Sequence, residues 1–114
     1  MFAAAAQIPR LLHEFGRDCL ARYTPAFGKN PEELAQAIAV THAELILIHP
    51  FVECNGRLAR LLADVMAVQA GHEPLDYSAW DAHRERYFAA IRKATGRDYA
   101  AMQELVSMAL SPGT

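Results

Sequence analysis

Between His49 and Arg60 the chain reads HPFVECNGRLAR, and five of those side chains suit phosphate chemistry. His49 is the one group there that titrates near neutral pH, so it can take a proton from an incoming hydroxyl. Glu53 is a single carboxylate, which is enough for Mg²⁺ when phosphate oxygens and waters complete the shell. Asn55 is a helix-capping residue type, and the helix it opens points free backbone N–H groups back at the loop, a ready anion site. Gly56 lets a ligand approach the backbone closely. Arg57 and Arg60 are three apart, so they share a helical face and suit a chain of phosphates. Taken singly, each residue has a plainer reading: a helix-end histidine, a solvated arginine pair, an Asn-Gly turn. Their joint occurrence points instead to a metal–nucleotide phosphate site with a base at its edge.

Two helices must position this loop. Asn30 can cap the first, Pro31 suits its first turn, and Glu32 and Glu33 favour the positive end of its dipole. Leu34, Ile38, Leu45 and Ile48 form its apolar stripe, and Pro50 stops it at His49. Phe51 reads as a core anchor that sets the loop. The second helix runs from an Asn55 cap to Gly71, lined by Leu58, Leu61, Leu62, Val65 and Met66. Upstream, Ile8, Leu11, Leu12, Phe15 and Cys19 recur at helical spacing, with Pro9 in the first turn and an end near YTPAFGKN. Downstream, a helix starts at Ser78, with Asp81 in the capping-box place, and stops before Gly96. A last helix runs from an Asp98 cap to about Leu110. No strand alternation persists, so the fold class is all-α.

The 114 residues fit one domain with a small core, and 53% hydrophobic against 21% charged residues is a globular balance. A net charge of −2 without a basic run argues against broad nucleic-acid binding. No apolar stretch reaches the roughly 18–20 residues of a membrane span, and the start MFAAAAQIPR lacks the parts of a signal peptide. Cys19 and Cys54 form no close-spaced metal or redox motif, which suits free thiols in a reducing cytoplasm. His42 and Glu44 match the H-x-E of zinc deaminases, but P-C-x-x-C is absent. His42 therefore reads as a satisfied helix histidine, and His13, His72 and His83 as solvated. Trp80 reads as a core anchor and Met102, Leu105, Val106 and Met108 as packing. Tyr87 and Phe88 read as packing too, with an adenine-pocket contact as the sharper role for Tyr87.

His49, Pro50, Phe51, Glu53, Asn55, Gly56, Arg57 and Arg60 match the Fic motif H-P-F-x-[D/E]-G-N-G-R-x-x-R. The chain resembles that family from about Ile8 to Leu110, through AELILIHPF, NGRLARLLADVMAVQAG and the Tyr-rich RERYFAAIRKATG. The resemblance implies a compact Fic-type bundle of about five to six helices, residues 1–114 forming a single Fic core. It implies AMP transfer from Mg-ATP to a Ser, Thr or Tyr hydroxyl of a target protein. In that scheme His49 is the base and Glu53 the Mg²⁺ ligand. Asn55, Gly56 and the amides of the turn grip the phosphates, Arg57 binds the β/γ end, and Arg60 meets the γ-phosphate.

Cys54 replaces the usual first glycine of the motif and belongs to the same phosphate-binding turn. The Doc branch tolerates Ala there, but it also replaces the second glycine with Lys and acts as a kinase. Retention of Gly56 favours AMP transfer. No strand pair precedes FAAAAQIP, where the family's flap hairpin would register the target. The inhibitory pattern [S/T]-x-x-x-E-[G/N] is missing, since Glu14 has Arg10 four residues back and Phe15 after it. Nothing in the chain is therefore expected to compete with phosphate for Arg60. A truncated piece, a natural short form and a toxin held by a separate inhibitor or antitoxin all fit, as does a homo-oligomer. Two rivals remain beside AMP transfer: a non-catalytic Fic-fold binding or regulatory module, and the reverse reaction, removal of AMP.

Overall fold

Asn30 and Glu33 start the central helix by satisfying each other's backbone. The Asn30 side-chain oxygen accepts the Glu33 N–H at 2.8 Å, and the Glu33 carboxylate accepts the Asn30 N–H at 3.1 Å. This reciprocal cap fills donors that a helix start leaves empty, and is worth about 1 kcal/mol. In the computed structural model, which describes residues 7–48 and 55–110 apart from the side chains of Ile8 and Asn55, the helix so started runs Pro31–Ile48. The described residues form an all-α fold, as expected, with no strand among them.

In chain order the elements are α1 (Ile8–Glu14), a π-helical turn (Phe15–Leu20), α2 (Ala21–Tyr23), α3 (Pro31–Ile48), α4 (Asn55–Gln69), α5 (Ser78–Ala82), α6 (Arg84–Ala94) and α7 (Ala100–Leu110). Helix α3 is buried nearly all round and packs chiefly against α7 and α4. Among the described residues, no helix is long and apolar enough to cross a membrane.

Small side chains fill much of the core on α3 and α4. Ala35, Ala39 and Ala43 of α3 and Ala59, Ala63 and Ala67 of α4 are all buried, with Met66 among them. The Thr41 hydroxyl bonds the Ala37 carbonyl at 2.9 Å and lies 3.3 Å from the Met66 sulfur. Of the expected lining of α4, Met66 is buried and Leu58 and Leu62 pack half-buried against the core, but two residues are corrected. Leu61 is 60% exposed and Val65 44% exposed, and with Val68 they form an outer apolar stripe. The buried row of α4 holds Ala59, Ala63 and Ala67 beside Met66, and Leu61 and Val65 fall on the opposite side.

Other expectations shift as well. The first helix is not one regular helix, because the Ala21 N–H reaches back five residues to the Gly16 carbonyl. Phe15 and Cys19 are nonetheless buried there, as their spacing predicts. Asn55 is the first helical residue of α4 rather than the one before it, and Gly71 leaves the helix end with φ +89°, a conformation that favours glycine. The helix expected from Ser78 to Gly96 breaks at His83 (φ −123°, ψ 58°), giving α5 and α6. Asp81 makes no cap; its carboxylate goes to Arg60 instead. The Ser78 N–H is taken by Asp76 at 3.0 Å. Asp98 accepts the Ala100 N–H at 3.2 Å, at the start of α7. Trp80 is fully in the core, whereas Phe88 and Met108 are 51% and 41% exposed and so do not fill it.

Candidate functional site

Residues His49, Pro50, Phe51, Glu53 and Cys54 lie outside the described residues, as does the Asn55 side chain. What surrounds them is described. Ile48 ends α3 on one side, and α4 begins at Asn55 on the other. Both ends rest on one apolar cluster, in which Phe15, Cys19, Leu45, Ile48 and Ala59 are buried. Among the described residues, a Cβ added at Gly56 would meet nothing within 4 Å. Arg57 is exposed there and, among the described residues, forms no ion pair.

Arg60 is held far more firmly than its sequence position suggested. Its guanidinium carbon lies 4.6 Å from the centre of the Tyr77 ring and 5.9 Å from that of Trp80. One terminal nitrogen donates to Asp81 Oδ1 at 2.8 Å. The Tyr77 hydroxyl lies 2.8 Å from Asp64 Oδ1 and 3.0 Å from the Arg60 carbonyl. Asp64 also accepts the Leu75 N–H at 3.0 Å, which ties the chain after α4 back to that helix. Burial, then the Asp64 carboxylate, holds the Tyr77 phenol far above its usual range. Asp81 is held below the usual carboxylate range by its hydrogen bond to Arg60. The absence of an inhibitory pattern therefore did not leave Arg60 without a carboxylate. The only sequence signal was an acid one residue after a tryptophan, and nothing in spacing ties it to Arg60.

Behind Arg60 lies a buried aromatic cluster. His42 Nε2 is 2.6 Å from the Tyr87 hydroxyl. The Tyr87 ring stacks on Trp80, with centroids 5.2 Å apart, and Trp80 donates to the Leu105 carbonyl at 3.0 Å. This is the packing role read for Tyr87, and it commits the hydroxyl and one ring face to the core. Among the described residues His42 Nδ1 has no partner, so the histidine is only half satisfied. Burial pushes its pKa down to about 4; the Ala59 backbone opposes this without reaching hydrogen-bond geometry. His42 is thus neutral at pH 7.

A concavity of about 450 Å³ lies between the π-helical turn, α3 and the segment before α7, and Cys19, Glu44, Arg97 and Tyr99 line it. Tyr99 donates to Glu44 there. Burial pushes the Cys19 thiol up to about 12, so it is not a nucleophile at neutral pH. Among the described residues, no group of three or more His, Cys, Asp and Glu side chains could hold a metal ion.

The model for the Fic/DOC family matches residues 1–67. The chain belongs to the Fic/DOC family. It is 36% identical over 73 residues to a protein adenylyltransferase Fic of Nematostella vectensis, 62% of this chain and 17% of that protein. It is 35% identical over 60 residues to one of Aedes aegypti, 53% of this chain and 12% of that protein. It is 36% identical over 56 residues to protein adenylyltransferase fic-1 of Caenorhabditis elegans, 49% of this chain and 11% of that protein. The chain thus spans less than one-fifth of the length of these relatives. Within this Fic chain, the matched segment ends inside α4, before Tyr77, Trp80 and Asp81.

Proposed function

We propose that this Fic chain transfers AMP from Mg-ATP to a Ser, Thr or Tyr hydroxyl of a target protein. One observation carries the reading. Gly56, Arg57 and Arg60 stand together at the start of α4, with nothing among the described residues within 4 Å of a Cβ placed at Gly56, in a chain whose relatives are named protein adenylyltransferases. His49 takes the proton of the acceptor hydroxyl. The acceptor oxygen bonds to the α-phosphorus, the bond from that phosphorus to the α–β bridging oxygen breaks, and pyrophosphate leaves. Asn55, Gly56 and the backbone amides around Cys54 hold phosphate oxygens, and Arg57 and Arg60 bind toward the β/γ end. Glu53 would hold Mg²⁺, which when bound offsets phosphate charge, with phosphate oxygens and water completing its shell. The outer edge of Tyr87, away from Trp80, is the part left for adenine.

The test is transfer of label from α-labelled ATP to the chain itself or to an added acceptor protein. His49→Ala is expected to abolish transfer while ATP binding and melting temperature stay near wild type. Glu53→Gln is expected to lose the Mg²⁺ dependence. Transfer by His49→Ala near the wild-type rate rules out its role as base. A second reading, a Fic-fold module that binds without catalysis, is favoured by the existing Arg60–Asp81 pair. Tight Mg-ATP binding with no transfer to any acceptor selects that reading.

A further inference from the structure

Arg60 has two kinds of contact, and they differ in what they do for an anion. The Tyr77 and Trp80 rings lie within 4.6 and 5.9 Å of the guanidinium and leave its charge intact. Asp81 cancels that charge at one N–H, 2.8 Å away. The pair is partly exposed, with side-chain accessibilities of 34% for Arg60 and 63% for Asp81. A pair this wet contributes little to stability and is easily exchanged. Asp81 also stands on α5, a five-residue turn cut off from α6 by the break at His83. Its carboxylate is not needed to place Arg60, because the rings and the Tyr77 hydroxyl at the Arg60 carbonyl already do so.

We propose that Asp81 is an in-chain competitor for Arg60, whose carboxylate a polyphosphate must displace or tolerate before that arginine can grip it. The proposal rests on the reading of Arg60 as a phosphate ligand. Its physical basis is simple. A phosphate and a carboxylate that meet the same guanidinium repel each other across a few ångströms, and that repulsion subtracts from binding. Asp81 thereby lowers the affinity of the site for nucleotide while leaving the arginine in place. The competitor lies downstream of the family-matched segment, on an element the match does not include.

The experiment is calorimetric titration of the whole chain with Mg-ATP and, separately, with inorganic tripolyphosphate. Asp81→Asn keeps the size of the side chain and removes its charge. It is expected to tighten both ligands about fivefold, the size of one exposed unit-charge contact at roughly 4 Å. Arg60→Ala is expected to erase the difference, so that Arg60→Ala and the Arg60→Ala/Asp81→Asn double variant bind alike. Glu85→Gln, an exposed acid on the next helix, is the control for general charge and is expected to change nothing. Melting temperatures confirm that each variant is folded; if Asp81→Asn is not, Asp81→Ser takes its place. Binding that is unchanged or weaker in the Asp81 variant overturns the proposal and leaves the phosphate reading standing. A gain that survives Arg60→Ala, or is matched by Glu85→Gln, also overturns it. No binding by the wild type or the Asp81 variant overturns the proposal and the phosphate reading together.

Discussion

His42 makes stability depend on pH in a window of its own. The imidazole is buried against Tyr87 and Trp80, one nitrogen lacks a described partner, and its pKa falls from 6.5 to about 4. The group is depressed on folding, so its contribution is fully present above pH 6.5 and is lost as pH falls toward 4. The shift corresponds to roughly 3 kcal/mol across that window. Asp18, Asp76 and Asp81 are held below 3.8, so their contributions are lost only at lower pH. Urea denaturation at pH 7.5 and pH 4.5 is expected to show most of that loss in the wild type and little in His42→Gln. Equal pH dependence in both would assign the slope elsewhere. The sequence could not show this state, because a histidine at a helix interior reads the same whether its second nitrogen is paired or bare. The site motif was legible for the opposite reason: His49, Glu53, Asn55, Arg57 and Arg60 carry their spacing in a dozen consecutive residues. Asp81 comes from 21 residues beyond Arg60, and only the folded chain brings it there.

At the scale of elements, α3 and α4 each bury a row of alanines, with Met66 beside them. A fully buried alanine in a packed core leaves added volume nowhere to go. Ala63→Leu is expected to destabilise by about 1–3 kcal/mol. Leu61→Ala, on the outer stripe, is expected to stay within about 0.5 kcal/mol of wild type. Equilibrium unfolding of the two variants checks the contrast, and a larger loss from Leu61→Ala would mean that the stripe is covered. Helix starts and stops were legible where they rest on local chemistry. The Asn30–Glu33 cap and the Gly71 end are examples. The facing of α4 was legible in part: the large apolar pattern gave buried Met66 and half-buried Leu58 and Leu62, but it also gave the exposed Leu61 and Val65 and passed over the buried Ala59, Ala63 and Ala67. The break at His83 was hidden too, because RERYFAAIRKA and SAWDA are each good helix and no proline or glycine separates them.

At the scale of the molecule, one side chain joins what the segments hold apart. Trp80 of α5 bonds the carbonyl of Leu105 in α7, stacks on Tyr87 of α6, lies 5.1 Å from His42 of α3 and carries Arg60 of α4 at 5.9 Å. It is the only tryptophan in the chain, and it is 1% exposed. All indole fluorescence therefore comes from one dry position beside the candidate phosphate arginine. The native protein is expected to emit at short wavelength and to shift red on unfolding, which gives the unfolding curves without a label. Because a guanidinium rests over the ring, any anion that draws Arg60 away alters the field at the indole. Titration with tripolyphosphate is expected to change the emission of the wild type and to leave that of Arg60→Ala flat. The chain thus carries its own optical gauge of whether Arg60 is engaged.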